Sequence, residues 1–263
     1  MLLHGLGGNS QREGLRRLGI ALLAGGFSVL RLNLRGADPG RHLANGTYAA
    51  SCNIDLAPAL VLARQLAATL PVFGAGTSLG GTILLNACLD ANLGWQGRAA
   101  LDALACISSP LDLAACSAAI EQPRNRIYQR WLMQRLVRQT LADPGGLLPE
   151  ERKQLALVRS IRDFDAAITA PRWGFGTVER YYSEASPLKK LDRLAVPTLL
   201  LQALDDPWVP AKAACSLRGQ SMPNLELLLT EHGGHNGFHG QGDDPLACWS
   251  DRQAVQWLQK QLG

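Results

Sequence analysis

Gly76-Thr77-Ser78-Leu79-Gly80 sets a serine between two glycines, after the apolar run 71–75 and before the helix-patterned run 79–89. A G-x-S-x-G at a strand-to-helix turn has the form of a nucleophile elbow. So sharp a turn needs tiny flanking residues, and it pushes the Ser78 hydroxyl out over the end of a sheet. The start of the next helix favours negative charge developing there. A glycine-rich turn with an incidental serine is the plain alternative, and the placement between strand and helix argues against it.

A serine attacks a carbonyl only when a base takes its proton and a carboxylate orients that base. Three histidines follow Ser78, namely His232, His235 and His239. Gly233-Gly234 marks a flexible loop after the strand-like run 225–230, which favours His235 as the base. His232 lies close to the strand end and is the alternative, while His239 is further out. For the acid, the run 199–201 leads into Asp205-Asp206-Pro207-Trp208-Val209-Pro210. Pro207 fixes the backbone beside Asp206, which favours Asp206 over Asp205. Near the amino terminus, His4-Gly5-Leu6-Gly7-Gly8 is a glycine-rich loop of the kind that gives one backbone N–H to an oxyanion. The second N–H comes from the residue after the nucleophile, so Leu6 and Leu79 are the expected donors.

The elements that must position these residues follow a βα pattern. Strand-length apolar runs at 1–3, 28–34, 71–75, 101–107, 198–201 and 225–230 alternate with helical runs at 14–24, 54–70, 79–89, 212–217 and 251–262. Such alternation predicts an α/β fold with a mainly parallel sheet. Residues 113–194 break it. They read as helix throughout, with an interruption at 144–146 and a helix over 149–161. The expected organisation is a core of 1–112 and 195–263 with a helical cap of 113–194.

Composition narrows the rest. The chain has 263 residues, 47% hydrophobic and 18% charged, which suits a packed globule and excludes a disordered chain. A net charge of +4 without long basic tracts gives no footprint for nucleic acid. No apolar stretch reaches the ~20 residues of a membrane span, and no export leader is evident. The six cysteines are scattered without a CxxC pair, which speaks against a disulfide framework or a zinc site and for a reducing cytoplasm. The chemistry above needs neither metal nor organic cofactor.

These motifs resemble the YheT-like branch of the alpha/beta-hydrolase superfamily, the AB hydrolase 4 family. The matching pieces are HGLGG at 4–8, LNLRG at 32–36, TSLGG at 77–81, SSPLDLAAC at 108–116, TAPRWGFGTVERYYSEAS at 169–186, DDPWVP at 205–210 and EHGGHNGF at 231–238. TSLGG is shared across the superfamily, whereas the 169–186 stretch and GGHNGF are more specific. The resemblance implies an eight-stranded sheet with a helical cap. It also implies carboxylesterase or acylglycerol lipase-type activity on short or medium acyl esters, with the triad on Ser78, Asp206 and His235. The family further implies several tens of residues of strand-forming chain ahead of HGLGG. Those are not present here, so the amino-terminal strands are expected to be missing.

Other readings are weaker. Gly74, Gly76 and Gly80 mimic a dinucleotide-binding loop, yet the acidic residue expected ~20 positions on is missing and 92–97 reads as a loop. An acyltransferase using the same triad, or a catalytically silent binding protein on this fold, leaves the same sequence pattern. The arginines at 124, 126, 130, 135 and 138 around Tyr128, Trp131, Leu132 and Leu136 suggest peripheral contact with a lipid surface. A cap helix with solvated arginines is the favoured reading of that stretch.

Overall fold

The computed structural model describes residues 1–94, 99–244 and 246–262. Six strands form one parallel sheet: β1 (Leu2–Leu3), β2 (Arg31–Leu32), β3 (Phe73–Thr77), β4 (Ala103–Ile107), β5 (Thr198–Ala203) and β6 (Leu225–Thr230). Their spatial order is β2-β1-β3-β4-β5-β6. Helices α1 (Glu13–Ala24), α2 (Asn53–Ala67) and α3 (Leu79–Leu89) link the first four strands. Between β4 and β5 the described chain holds no strand. It passes through α4 (Leu113–Ile120), α5 (Arg126–Leu141), α6 (Pro149–Leu155), α7 (Ile161–Phe164), α8 (Ala170–Arg172) and α9 (Val178–Ala185). Helices α10 (Lys212–Cys215) and α11 (Trp249–Gln259) complete the core.

The two-residue period of the interior strands feeds two apolar layers. Leu104 and Cys106 of β4 pack with α2 and α3, while Ala103, Ala105 and Ile107 pack with α1 and α11. A third cluster lies apart from the sheet, where Leu132, Met133 and Leu136 of α5 meet Leu155, Ile161, Phe164 and Ile168. Leu132 and Leu136 are therefore interior residues of the helical segment.

Several expectations change. The described residues form six strands, not the eight that the resemblance implies. β1 is an interior strand, flanked by β2 and β3, and it pairs through two residues only: Leu2 opposite Arg31 and Leu3 opposite Leu32. The strand expected over 28–34 shrinks to Arg31–Leu32 because β2 has no longer partner to pair with. The helix expected over 149–161 divides in two. Ser160 starts α7 with a capping box, accepting from the Asp163 N–H at 3.1 Å while the Asp163 carboxylate accepts from the Ser160 N–H at 3.0 Å. The helix expected to reach residue 70 stops at Ala67, because Ala68 takes φ 54°. The loop at 92–97 lies partly outside the described residues.

The carboxyl ends of the parallel strands gather the loops singled out above, the usual place for a site in an open α/β sheet. Close backbone approach holds them there. A Cβ at Gly80 would strike the Leu3 carbonyl oxygen and lie 2.7 Å from that of His4. Gly80→Ala is therefore expected to lower the unfolding free energy by about 3 kcal/mol in urea denaturation, since backbone on both sides must shift.

Candidate active site

Ser78 sits between β3 and α3 with φ 52° and ψ −130°, a left-handed backbone that a non-glycine residue adopts only under constraint. The constraint is visible: the Ser78 N–H donates to the Ile107 carbonyl at 2.8 Å, and a side chain at Gly76 would collide with Gly80 and Gly81. The flanking glycines are thus steric requirements of the turn. The Ser78 side chain lies against Gly5, whose ideal Cβ would stand 3.4 Å from Oγ. Among the described residues the Ser78 hydroxyl has no hydrogen-bond partner, so it is not closed onto His235.

The 4–8 loop is fastened at three points. His4 Nδ1 donates to the Gly5 carbonyl at 2.8 Å, and His4 Nε2 accepts from the Leu34 N–H at 3.2 Å, which fixes a neutral imidazole. The Tyr48 hydroxyl accepts from the Gly7 N–H at 2.7 Å, and Arg135 Nε donates to the Gly7 carbonyl at 2.6 Å. Within this frame the N–H groups of Leu6 and Leu79 have no acceptor among the described residues. Leu79 opens α3, so its N–H is one of the unpaired donors of a helix start. Both residues border the same pocket as Ser78, and a free N–H is a group that can receive negative charge.

Of the three histidines after Ser78, His235 shares its cleft. His235 Nδ1 lies 2.9 Å from Asp206 Oδ2. The Asp206 carboxylate is buried and also accepts from the N–H groups of Trp208 at 2.9 Å and Val209 at 3.0 Å and from Gln202 Nε2 at 3.3 Å. Such donors satisfy the oxygens of the buried carboxylate and hold it pointed at the ring. His232 and Asp205 form a separate pair at 3.4 Å, with the His232 side chain 87% exposed. His239 pairs with Asp243 at 3.5 Å, also at the surface. Gly233-Gly234 does not form the flexible loop expected: Gly237 and Phe238 both donate to the Gly233 carbonyl, at 3.1 and 3.0 Å, and a Cβ at Gly233 would press into the Phe238 ring.

The sequence reading missed what surrounds these groups. Trp208 packs against the His235 ring with centroids 4.6 Å apart, and Tyr128 of α5 stacks on Trp208 at 3.4 Å with planes 6° apart. Trp208 lies two residues from Asp206, so its neighbourhood to the base was available in the DDPW run. Arg12, which also lines the cleft, carried no local signal, and Tyr128 stood out only as part of the aromatic face of its helix. Ser78 and His235 border two spaces. One is a largely apolar pocket of about 70 Å³ that includes Leu132, Ile161 and Tyr181. The other is an open, more polar cleft of about 340 Å³ that includes Arg12 and Trp131.

Burial pushes His4 down to about 4, with the Arg135 charge acting the same way. The unfolded chain therefore takes up this proton first, and the stability His4 contributes at neutral pH is lost as pH falls from about 6.5 toward 4. Asp165, raised to about 6 by burial, acts in the opposite sense. The difference between wild type and His4→Gln isolates the histidine. That difference is expected to shrink by about 2 kcal/mol from pH 7 to pH 5 in urea titrations.

Comparison with known proteins agrees with this architecture. Residues 1–248 match the model of the alpha/beta hydrolase family. The putative esterase YheT of Escherichia coli is 38% identical over 192 residues, covering 72% of this chain and 55% of that protein. Phospholipase ABHD3 of Mus musculus is 30% identical over 263 residues, covering 98% of this chain and 62% of that protein. The chain thus spans 55% to 62% of the length of these two curated relatives. Among solved structures, the Pyrococcus furiosus esterase Pf2001 superposes with a TM-score of 0.61 at 15% identity, over 100% of this chain and 82% of its own, a likeness of fold. The similarity to YheT accords with the family resemblance read from the sequence motifs. On a match through residues 1–248, a parallel sheet of this order and a serine elbow at its carboxyl edge, the chain belongs to the alpha/beta hydrolase family.

Proposed function

We propose that the chain is a serine hydrolase of carboxylic esters. One observation carries the reading: a serine in a strained elbow shares a cleft with a histidine whose Nδ1 is engaged by a buried carboxylate. In this mechanism Ser78 Oγ attacks the ester carbonyl while its proton passes to His235 Nε2. Asp206 holds the Nδ1–H tautomer and stabilises the imidazolium. The N–H groups of Leu6 and Leu79 bind the oxyanion of the tetrahedral intermediate. His235 then protonates the departing alcohol, and a water activated by the same base releases the acyl group from Ser78. Attack requires the Ser78 hydroxyl to close onto His235, a contact that often tightens only with substrate bound.

The names of the relatives, an esterase and a phospholipase, support an ester substrate. In the proposal the apolar pocket takes the acyl chain, with residues 113–194 as a cap over it. Its 70 Å³ leave room for roughly five water-sized groups, which fits a short or medium chain. The test is covalent: the folded protein treated with a fluorophosphonate should gain one adduct in intact-mass analysis, carried on the peptide containing Ser78. A folded sample without an adduct overturns the reading.

A further inference from the structure

The dipeptide Ile107-Ser108, where β4 ends, holds both partners of the proposed proton transfer. The Ile107 carbonyl accepts from the Ser78 N–H at 2.8 Å. The Ser108 hydroxyl accepts at 3.3 Å from the N–H of Asn236, the residue after His235. Ser108 is itself anchored to the sheet, its own N–H donating to the Leu201 carbonyl at 2.9 Å. It is fully buried and lines neither the cleft nor the apolar pocket at Ser78.

Ser108 has φ 49°, a left-handed backbone that glycine takes freely and serine takes under strain. A serine kept where glycine would be relaxed implies that its side chain is needed. That hydroxyl has one hydrogen-bond partner among the described residues, the Asn236 N–H. Asn236 is left-handed too, at φ 63°, so two strained residues meet at one bond beside the base. The main chain on the other side of His235 is tied less firmly. Gly234 N–H donates to Asp205 at 2.8 Å, but the Asp205 side chain is 43% exposed and water can take its place. The Ser108 tie lies against the buried end of β4, so its loss leaves an N–H without a ready substitute. Asp206 and Trp208 act on the imidazole itself and fix how the ring is turned. From this we infer that Ser108 is a positioning residue for His235, setting how far the base stands from Ser78. Ile107 holds the nucleophile and Ser108 the base, so the gap between them is measured across adjacent residues of one strand end. This inference rests on the hydrolase reading of Ser78.

The test reads kcat and KM on a short-chain ester, and the fluorophosphonate labelling rate, in Ser108→Ala and Ser108→Gly. Alanine removes the hydroxyl and keeps the backbone strain, whereas glycine removes both and serves where alanine fails to fold. Each is expected to lower kcat and the labelling rate about tenfold with KM unchanged. In an Asp206→Asn background, where the ring no longer takes the Ser78 proton, the same substitutions should slow labelling no further. Wild-type kcat in the folded variants overturns the inference. So does an equal tenfold loss in both backgrounds, since a general loosening of the fold ignores the tautomer of His235. If the wild type neither cleaves esters nor takes the fluorophosphonate, the hydrolase reading has failed instead. Proton NMR then still decides the placement, through the exchange rate of the His235 Nδ1–H held by Asp206. Faster exchange in both Ser108 variants supports the tie, and wild-type exchange overturns it.

Discussion

Ser78→Ala is expected to lower kcat/KM on a short-chain ester by at least about 10⁴-fold and to abolish fluorophosphonate labelling. The size follows from the role proposed for the hydroxyl, which forms the acyl bond and has His235 in the same cleft to take its proton. What remains is the slower reaction that oxyanion binding and substrate alignment give without a nucleophile. The variant also separates chemistry from folding. Residue 78 has φ 52° whichever side chain it bears, and alanine tolerates that strain as serine does. The Ser78 hydroxyl donates to no described residue, so its removal costs no native hydrogen bond. Unfolding in urea should therefore shift by less than about 1 kcal/mol. A folded Ser78→Ala protein with wild-type turnover would show that the esterase chemistry lies elsewhere.

Asp206→Asn is expected to cost about 10³ to 10⁴-fold in kcat with KM little changed. The reason is the set of donors around this carboxylate. Oδ1 already accepts from the N–H groups of Trp208 and Val209, and Oδ2 faces Gln202 Nε2 and His235 Nδ1. Every partner except the imidazole is obliged to donate. An asparagine keeps its oxygen toward the two backbone N–H groups and turns its NH₂ toward the ring. Nδ1 must then accept, the ring proton moves to Nε2, and the base can no longer take the Ser78 proton. The fluorophosphonate labelling rate should fall by the same factor as kcat, because both need that transfer. Labelling at the wild-type rate would refute the role given to Asp206, and Asp205→Asn serves as the contrast with activity retained.

The elbow was legible in the sequence because its requirement is local. The glycines at 76 and 80 answer to backbone atoms within a few residues or in the adjoining strand, and that demand leaves a five-residue signature. Strands β4 and β5 were legible for a similar reason, since burial on two faces produces short unbroken apolar runs. The reach of β2 was not. Its apolar and β-branched run extends over 28–34, but ladder length belongs to the pair, and β1 offers only Leu2 and Leu3. The glycines at 233 and 234 carried the right position with the wrong meaning, because the ring of Phe238 that demands Gly233 becomes visible only once the turn is closed.

The sequence by itself therefore determined the kinds of residue available, their order along the chain, and the alternating elements that carry them to one edge of a sheet. Those properties follow from side-chain volume, backbone freedom and hydrophobic period, all of them local. Loop position and Pro207 favoured His235 and Asp206 in the sequence, but only the tertiary structure shows the distances, 2.9 Å for His235 to Asp206 and 3.4 Å for a separate, exposed pair of His232 and Asp205. It alone also brought Arg12, Trp131 and Tyr128 to Ser78, over intervals in which no side chain reports on another. Contacts between distant segments are fixed by how layers pack around the sheet, and packing is a property of the assembled surfaces, which the one-dimensional pattern does not carry.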